Sequence, residues 1–393
     1  MADKKLKPGW KVWRFDQIAT NVNVRIDNPS ESGMEHYVGL EHLDPDSLRI
    51  RRWGSPDDVE ATKLVFKKGD IIFGRRRAYQ RKLGVAEFDG ICSAHAMVLR
   101  AKPEVVLPEF LPFFMQSDLF MNRAVEISVG SLSPTINWKT LAIQEFALPS
   151  LEEQRKIADA LESLEQLALS YESALGELNR CERASIQAIL GDEDAWTLKT
   201  MRSVVQSIEA GKSPKASSLP AEPHEFGVLK VSAVGSSGYC PEENKALIDI
   251  DDFVDSAVVR AGDFLVTRAN AQPQGVARTC IVEVTPPNLM LSDKTWRLRF
   301  AVDAPSKRFV LAWTKLPKFR SYIDALCSGT EAKNISQEKF LAAPMVALDS
   351  DQRLKLDRVL RQADSARESL KQRIVDAKAM KAAFISEKVG GIS

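Results

Sequence analysis

Two stretches of the chain carry apolar residues at alternating intervals of four and three. The first runs from 150 to 190 and the second from 350 to 389, and neither contains a proline. This heptad spacing is typical of an α-helix that buries one narrow stripe against a partner helix. The predicted stripe consists of Ile157, Leu161, Leu164, Ala168, Tyr171, Leu175 and Leu178 in the first stretch, and of Leu356, Val359, Ala363, Ala366, Leu370, Ala377, Met380 and Phe384 in the second.

The two predicted helices have opposite charge. Residues 150–190 contain eight Asp/Glu against four Lys/Arg, whereas residues 350–389 contain six against ten. Because their net charges are opposite, these helices should pair with each other rather than with copies of themselves. We therefore predict an antiparallel coiled coil whose helices are each roughly 60 Å long at 1.5 Å per residue. The alternative is two surface helices that pack on their own domains, each with a solvated charged face.

The segments before each predicted helix have a different pattern, in which short apolar runs are separated by Gly, Pro and Asp. Strands are predicted at 70–74, 84–87 and 96–100. A helical stretch follows near 108–117, and its counterpart in the second half lies near 309–316.

The chain contains an internal repeat. Five blocks recur in the same order, and the offset between copies drifts from 186 to 199 residues: 9–18 with 195–201, 37–40 with 226–231, 65–73 with 258–266, 130–137 with 329–336, and 147–155 with 346–353. Each match alone is weak, but five in the same order indicate a duplication. In both copies a Gly-Asp pair is predicted to form a turn before an apolar strand.

Composition limits the class of protein. The 393 residues suffice for two domains, and a net charge of +1 means that any nucleic-acid binding depends on local basic patches. Five cysteines without a Cys-x-x-Cys pair predict reduced, cytoplasmic thiols rather than a zinc site or disulfides. Neither a membrane span nor a secretory signal is expected, because the sequence has no long uncharged apolar stretch.

The order of globular segment, long helix, globular segment and long helix resembles the specificity subunits of type I restriction-modification systems. The motifs that carry the resemblance are 68–72, 130–137 and above all 147–158, whose second copy is degenerate. The resemblance covers essentially the whole chain. It implies an α+β fold with a pseudo-two-fold internal repeat, in which two mixed α/β target recognition domains (1–149 and 192–346) are separated by two long spacer helices (150–191 and 347–393).

The same resemblance implies a function. The chain is expected to be the DNA-sequence specificity subunit of a type I complex, whose two domains read the halves of a split double-stranded target in the major groove. Two methyltransferase subunits are expected to dock on the long helices, and endonuclease/translocase subunits to join that core. No catalysis, cofactor or metal of its own is implied.

A basic loop follows the first Gly-Asp strand. Arginine can contact phosphate or bind guanine O6 and N7 through two hydrogen bonds, and glutamine can do the same for adenine. The alternative is a solvated basic loop. The candidate DNA-binding residues here are Arg75, Arg76, Arg77, Tyr79, Gln80, Arg81 and Lys82.

The corresponding loop of the second half has fewer charges and more amides, a composition that suits base recognition and also ordinary surface loops. Its candidates are Arg268, Asn270, Gln272 and Gln274. Weaker candidates in neighbouring loops are Lys333, Asn334, Asn137, Lys139, Lys212 and Lys215.

The sequence shows no enzyme motif. It has no phosphate-binding or dinucleotide-binding glycine loop, and Pro286-Pro287 precedes Asn288 in the wrong order for an adenine methyltransferase tetrapeptide. The four histidines have no ligand spacing, and His95 is predicted to be structural. Two alternatives remain: a DNA-modifying or DNA-cleaving enzyme with an unrecognised site, and a helical scaffold that does not bind DNA.

Overall fold

The computed structural model describes residues 6–236, 238–327 and 333–389. These form two compact units: unit 1 contains the residues up to Ala174 and from Leu370 onward, and unit 2 contains Leu175–Ser369. Both boundaries fall inside the two 40-residue helices, Leu151–Leu190 and Ser350–Val389. The two long helices predicted from the heptad spacing are therefore present.

Unit 1 combines two four-stranded sheets with short helices. Its strands are β1 Lys11–Arg14, β2 Ala19–Val22, β3 Arg25–Ile26, β4 Tyr37–Val38, β5 Lys63–Phe66, β6 Ile71–Gly74, β7 Leu83–Val85, β8 Gly90–Ser93, β9 Ala96–Ala101 and β10 Glu145–Leu148. Its helices are α1 Phe15–Ile18, α2 Leu111–Gln116, α3 Asp118–Glu126, α4 Trp138–Ala142, the first part of α5 Leu151–Leu190 and the last part of the helix Ser350–Val389. The sheet orders are β2-β9-β6-β7 and β3-β5-β8-β4, and β1 pairs with β10.

The apolar run in β6 is continuous because both faces of its sheet are buried. Ile71 and Phe73 point into a core shared with α2, α3 and the start of α5, whereas Ile72 points into a second core under the other sheet. β9 alternates in the same way, with Met97 in the first core and Val98 in the second. The central strands of unit 1 are thereby fixed on both sides.

Unit 2 has a similar arrangement. Its strands are β11 Leu198–Thr200, β12 Val205–Ala210, β13 Gly227–Leu229, β14 Asn244–Ala246, β15 Phe264–Thr267, β16 Ala269–Asn270, β17 Thr279–Ile281, β18 Leu289–Met290, β19 Thr295–Phe300, β20 Lys333–Asn334 and β21 Pro344–Val346. Its helices are the last part of α5, α6 Lys307–Trp313, α7 Pro317–Leu326, α8 Gln337–Leu341 and the first part of α9 Ser350–Val389. The sheets are β12-β19-β15-β17 and β14-β13-β18, with the pairs β16-β20 and β11-β21.

The Gly-Asp turn of unit 1 holds the start of β6. Gly69 adopts φ = 89°, a left-handed conformation that favours glycine. The Asp70 carboxylate accepts a hydrogen bond from the Lys67 backbone amide at 2.8 Å and two from the Arg100 guanidinium at 2.7 and 2.8 Å. The turn predicted from sequence is confirmed, and the salt bridge between Asp70 and Arg100 of β9 stabilises it.

The turn of unit 2 has the same hydrogen bonds. Gly262 adopts φ = 81°, and the Asp263 carboxylate accepts from the Arg260 backbone amide at 2.9 Å. Here two arginines of β19, Arg297 and Arg299, take the place of the single arginine in unit 1.

Arg297 is a buried cation, with a side chain that is 2% exposed. It contacts the carboxylates of Glu209 and Asp263, and it donates to two backbone carbonyl oxygens at 2.7 Å each. Arg299 pairs with the same two carboxylates but is 42% exposed. Burial of Arg297 is tolerated because both charges and hydrogen bonds are satisfied.

The long helices contact each other within each unit, and their residues meet in opposite order. In unit 1, Glu165 lies 2.5 Å from Lys381 and Glu172 lies 2.9 Å from Lys378. In unit 2, Arg367 of α9 forms an ion pair with Glu182 of α5. A later residue of α5 thus meets an earlier residue of α9, which is antiparallel geometry.

The predicted stripe of α9 is wrong at two positions. Met380 is 58% exposed and Ala366 is also exposed, whereas Lys381 is buried and Arg367 is half-buried. The buried face follows positions 356, 360, 363, 367, 370, 374, 377 and 381. The sequence-based prediction chose Ala366 and Met380 over the neighbouring Arg367 and Lys381, because cations are rarely buried. Here ion pairs with α5 compensate the charges of both cations.

Candidate nucleic-acid interface

The basic loop after β6 has a defined shape. Its backbone takes the left-handed conformation at Arg77, with φ = 58°, and again at Arg81, with φ = 52°. Between them a single 3-10 turn spans Ala78–Gln80. Residues other than glycine adopt this conformation at a cost, so the surrounding structure must hold them there.

A second loop provides that support. The Arg77 backbone amide donates to the Pro134 carbonyl oxygen at 2.7 Å, and the Ile136 amide donates to the Arg75 carbonyl oxygen at 2.9 Å. The Arg76 guanidinium donates to Ser133 Oγ at 2.6 Å. These contacts join segments more than fifty residues apart in the sequence.

The same contacts bring the arginines toward two further candidates. Asn137 precedes α4 and Lys139 lies within it, and both side chains are exposed. Arg77 and Tyr79 are also exposed, and Gln80 is half-buried. These side chains form one polar surface at the end of β6.

Arg81 and Lys82 have contacts inside the domain. The Arg81 guanidinium forms salt bridges with Asp46 at 2.6 Å and Asp118 at 2.9 Å, and it also donates to a backbone carbonyl. Lys82 Nζ donates to the Leu40 carbonyl oxygen at 2.7 Å. Both residues hold the loop in place, a role that composition alone did not predict.

A cleft of about 390 Å³ opens beside the arginines. Its lining combines guanidinium, ammonium, amide, imidazole and carboxylate groups, contributed by Leu40, Glu41, Arg76, Arg77, Gln80, Lys82, Ser93 and His95. Glu41 and His95 were not among the sequence candidates. Two sequence signals could have found them. Glu41 directly follows the repeat block at 37–40, and His95 ends the segment 93–95 before β9, which corresponds to 292–294 before β19.

His95 is exposed and lies with its Nε2 3.5 Å from a guanidinium nitrogen of Arg76. Burial, and then the positive charges of Arg76, Arg75 and Lys63, lower the pKa of His95 below its ordinary value. The imidazole is therefore neutral at physiological pH, and it can donate one hydrogen bond and accept another. That His95 is structural rather than a catalytic base stays a prediction.

The loop of unit 2 is held by an equivalent set of contacts. β16 pairs antiparallel with β20, so that Ala269 lies opposite Asn334 and Asn270 opposite Lys333. The Arg268 amide donates to the Lys294 carbonyl oxygen at 2.8 Å. The structure thus brings together the candidates after β15 and those before α8.

Asn270 is engaged within its own turn. Its Oδ1 accepts from the Gln272 backbone amide at 3.0 Å, and its side chain lies so close to Gly275 that a Cβ on that glycine would meet it at 2.2 Å. Gln272 and Gln274 are exposed, as is Arg268. The Asn270 amide therefore shapes the loop, whereas the Gln272 and Gln274 amides point to solvent.

The lysines of the 211–215 segment occupy different surroundings. Lys212 bridges to Ser292, and its carbonyl oxygen accepts from Asp293, next to the Arg268 contact. Lys215 is exposed, and its carbonyl oxygen accepts from Ile248 on another part of unit 2. Of the two lysines, Lys212 belongs with the amide loop.

Two negative findings concern the described residues. Across 6–236, 238–327 and 333–389, no group of three or more His, Cys, Asp or Glu side chains has the arrangement of a metal site. Within the same residues, no helix is both long and apolar enough to cross a membrane.

Comparison with known proteins shows which proteins the chain resembles. Residues 58–178, which contain the Gly-Asp turn, the arginine loop and the start of α5, match the model of the type I restriction modification DNA specificity domain. This segment of the chain is therefore similar to that specificity domain, and the arginine loop of unit 1 lies within the similar segment.

Two specificity subunits show the extent of the similarity. The chain is 32% identical to the EcoEI specificity subunit of Escherichia coli over 186 residues, 46% of this chain and 31% of that subunit. It is 21% identical to the EcoKI specificity subunit of Escherichia coli (strain K12) over 361 residues, 85% of this chain and 74% of that subunit. The chain spans about a third of the length of the EcoEI subunit.

A solved structure shows the fold over nearly the whole chain. It comes from work on the structural basis of complex assembly and conformational transition of the type I R-M system. The alignment covers 98% of each chain, with a TM-score of 0.55 and 18% sequence identity. The chain therefore has the mixed α/β fold predicted from its sequence.

Proposed function

We propose that this protein is the DNA-sequence specificity subunit of a type I restriction-modification complex. Its two domains bind the two halves of a split double-stranded target, two methyltransferase subunits dock on its long helices, and endonuclease/translocase subunits join the assembly. The chain itself catalyses no reaction. The observation that carries this proposal is the arginine loop of unit 1, which backbone hydrogen bonds to residues 134–136 hold within the segment that matches the DNA specificity domain.

The chemistry of both loops supports DNA binding. Arg75, Arg76 and Arg77 supply positive charge for phosphates and donors for guanine, whereas Gln272 and Gln274 present amides that suit adenine. Both sets stand at the end of a strand that begins with the same locked Gly-Asp turn. We infer that the two domains are copies of one recognition module with different base-contacting side chains.

The pairing of the long helices is the second part of the proposal. Antiparallel contacts occur within each unit, and we propose that they continue as one coiled coil along both helices. The partly buried ion pairs Glu165–Lys381 and Glu182–Arg367 would then fix the register, because a shift would leave charges uncompensated. This coiled coil would set the unspecified spacer between the two half-sites.

Cysteine cross-linking tests the antiparallel pairing. Ala168 and Ala377 are both buried between the helices of unit 1, so the double variant Ala168→Cys/Ala377→Cys should form a disulfide within one molecule. The pair Ala168→Cys/Ala366→Cys, which a parallel arrangement would bring together, should not link. Both are made with the exposed Cys181 changed to serine, and peptide mass spectrometry identifies the product. A link in the second pair alone would contradict the antiparallel coiled coil.

Replacement of the amides should change one half-site. We expect Asn270→Ala and Gln272→Ala each to cost about 1–3 kcal/mol of specific binding and to relax recognition in one half of the target. Asn270→Asp is the matched variant, since it keeps the Oδ1 that accepts from Gln272 and should preserve the loop. Mapping of methylated adenines shows the result. An unchanged sequence for Gln272→Ala would mean that this loop does not contact bases.

The whole proposal is tested by expressing the chain with methyltransferase subunits and sequencing the methylated adenines. A bipartite methylated sequence is expected. The isolated chain should bind DNA weakly, because a net charge of +1 allows few phosphate contacts without partners. Tight, specific binding by the chain alone at physiological salt, or metal-dependent cleavage by it, would contradict the proposal.

A further inference from the structure

The cleft beside the arginine loop contains a carboxylate among cations. Glu41 lines it together with Arg76, Arg77 and Lys82. Within the described part of the chain, no hydrogen bond or ion pair involves the Glu41 carboxylate, although three cations share its cleft. Because the Glu41 carboxylate does not pair with these cations, its position in the cleft needs an explanation other than charge neutralisation.

The cations of the cleft have other partners or face solvent. The Arg76 guanidinium is bound to Ser133 Oγ at 2.6 Å, and Lys82 Nζ is bound to the Leu40 carbonyl oxygen at 2.7 Å. Arg77 is exposed to solvent. Two of the three cations are thus held by other partners, and Glu41 remains available to a ligand that enters the cleft.

Gly39 determines where the Glu41 carboxylate lies. A Cβ atom on Gly39 would meet Glu41 Oε1 at 2.0 Å, so that the carboxylate occupies the space a side chain would need. The backbone of Gly39, at φ = −84°, is one that any residue adopts. The absence of a side chain at Gly39 therefore leaves room for the carboxylate, and a methyl group there would turn the flexible Glu41 side chain out of this position.

We propose that Glu41 accepts a hydrogen bond from the N4 amino group of a cytosine in the half-site bound by unit 1. Arg77, beside it, donates to O6 and N7 of the paired guanine. This inference rests on the proposed DNA-binding function and names the base pair that this cleft recognises.

The chemistry of the major groove leads to cytosine. A carboxylate is repelled by phosphates and by the acceptor atoms of guanine and thymine, and its usual base partner is the cytosine amino group. The cytosine amino group and the guanine O6 and N7 lie on the same groove edge of one base pair. The cations keep the surface attractive to the DNA backbone while the carboxylate selects the base.

The test uses the full chain assembled with methyltransferase subunits and reads methylated adenines by sequencing. Glu41→Ala should reduce discrimination at one C·G pair of one half-site by roughly 5- to 150-fold, and leave the other half-site unchanged. Gly39→Ala should relax the same pair, because the new methyl group displaces the carboxylate without removing any charge. Glu104→Ala removes an exposed carboxylate outside the cleft and should change nothing.

The outcomes separate this inference from the function on which it rests. An unchanged methylated sequence in both Glu41→Ala and Gly39→Ala would overturn the role of Glu41, as would a uniform change in affinity for all sequences. Relaxation at an A·T pair would overturn the assignment to cytosine. If the unmodified assembly methylates no bipartite sequence, the proposed function itself fails. Should Glu41→Ala not assemble, Gly39→Ala carries the test alone.

Discussion

Replacement of Arg297 by methionine is expected to lower the free energy of unfolding of unit 2 by about 3–5 kcal/mol. The change leaves the Asp263 carboxylate, with a side chain that is 6% exposed, facing Glu209 without the buried cation between them. Two backbone carbonyl oxygens also lose their donor. Chemical denaturation followed by hydrogen exchange on peptides of unit 2 measures the loss.

Arg299→Met is the matched control. It lies two residues further along β19 and pairs with the same carboxylates, but it is 42% exposed, so its loss should cost no more than about 1 kcal/mol. Equal effects of the two substitutions would show that burial of Arg297 contributes nothing beyond a surface ion pair.

Changing Arg75, Arg76 and Arg77 together to glutamine is expected to weaken DNA binding by the assembled complex at all sequences. Each lost phosphate contact should reduce the slope of log affinity against log salt by about 0.9. If Arg75 and Arg76 contact phosphates while Arg77 contacts guanine, the slope falls by roughly 1.8. Affinities measured at several salt concentrations, on cognate and unrelated duplexes, give the slope directly.

A second triple variant separates this effect from net charge. Lys11, Arg14 and Arg25 are exposed in the first strands of unit 1, and their replacement by glutamine removes the same three charges. The slope should stay the same. A fall equal to that of the arginine-loop variant would mean that the protein's overall charge, rather than this loop, governs binding.

Local patterns predicted the elements of the fold well. The heptad spacing gave both long helices, and the predicted strands near 70–74 and 96–100 correspond to β6 and β9. These features depend on residues a few positions apart, and their period survives in a single sequence. The α9 stripe failed at Met380 because burial there depends on Glu165, which lies on another helix.

The candidate site was predicted in part. The arginine loop and the amide loop were found by composition, but composition does not show which side chains the domain itself engages. Arg81 is bound by two carboxylates and Asn270 by its own turn. Glu41 was missed because its neighbours in the cleft come from segments far apart in sequence, which no local pattern connects.

The left-handed residues on either side of the 3-10 turn have a consequence for the search along DNA. A flexible loop loses roughly 1–2 kcal/mol of conformational entropy per backbone residue when it becomes ordered on binding. The arginine loop has already lost that entropy during folding, because Arg77 and Arg81 are held in place by neighbouring segments. Unit 1 should therefore meet each candidate sequence with a preorganised surface, and the encounter rate rather than loop ordering would limit its association.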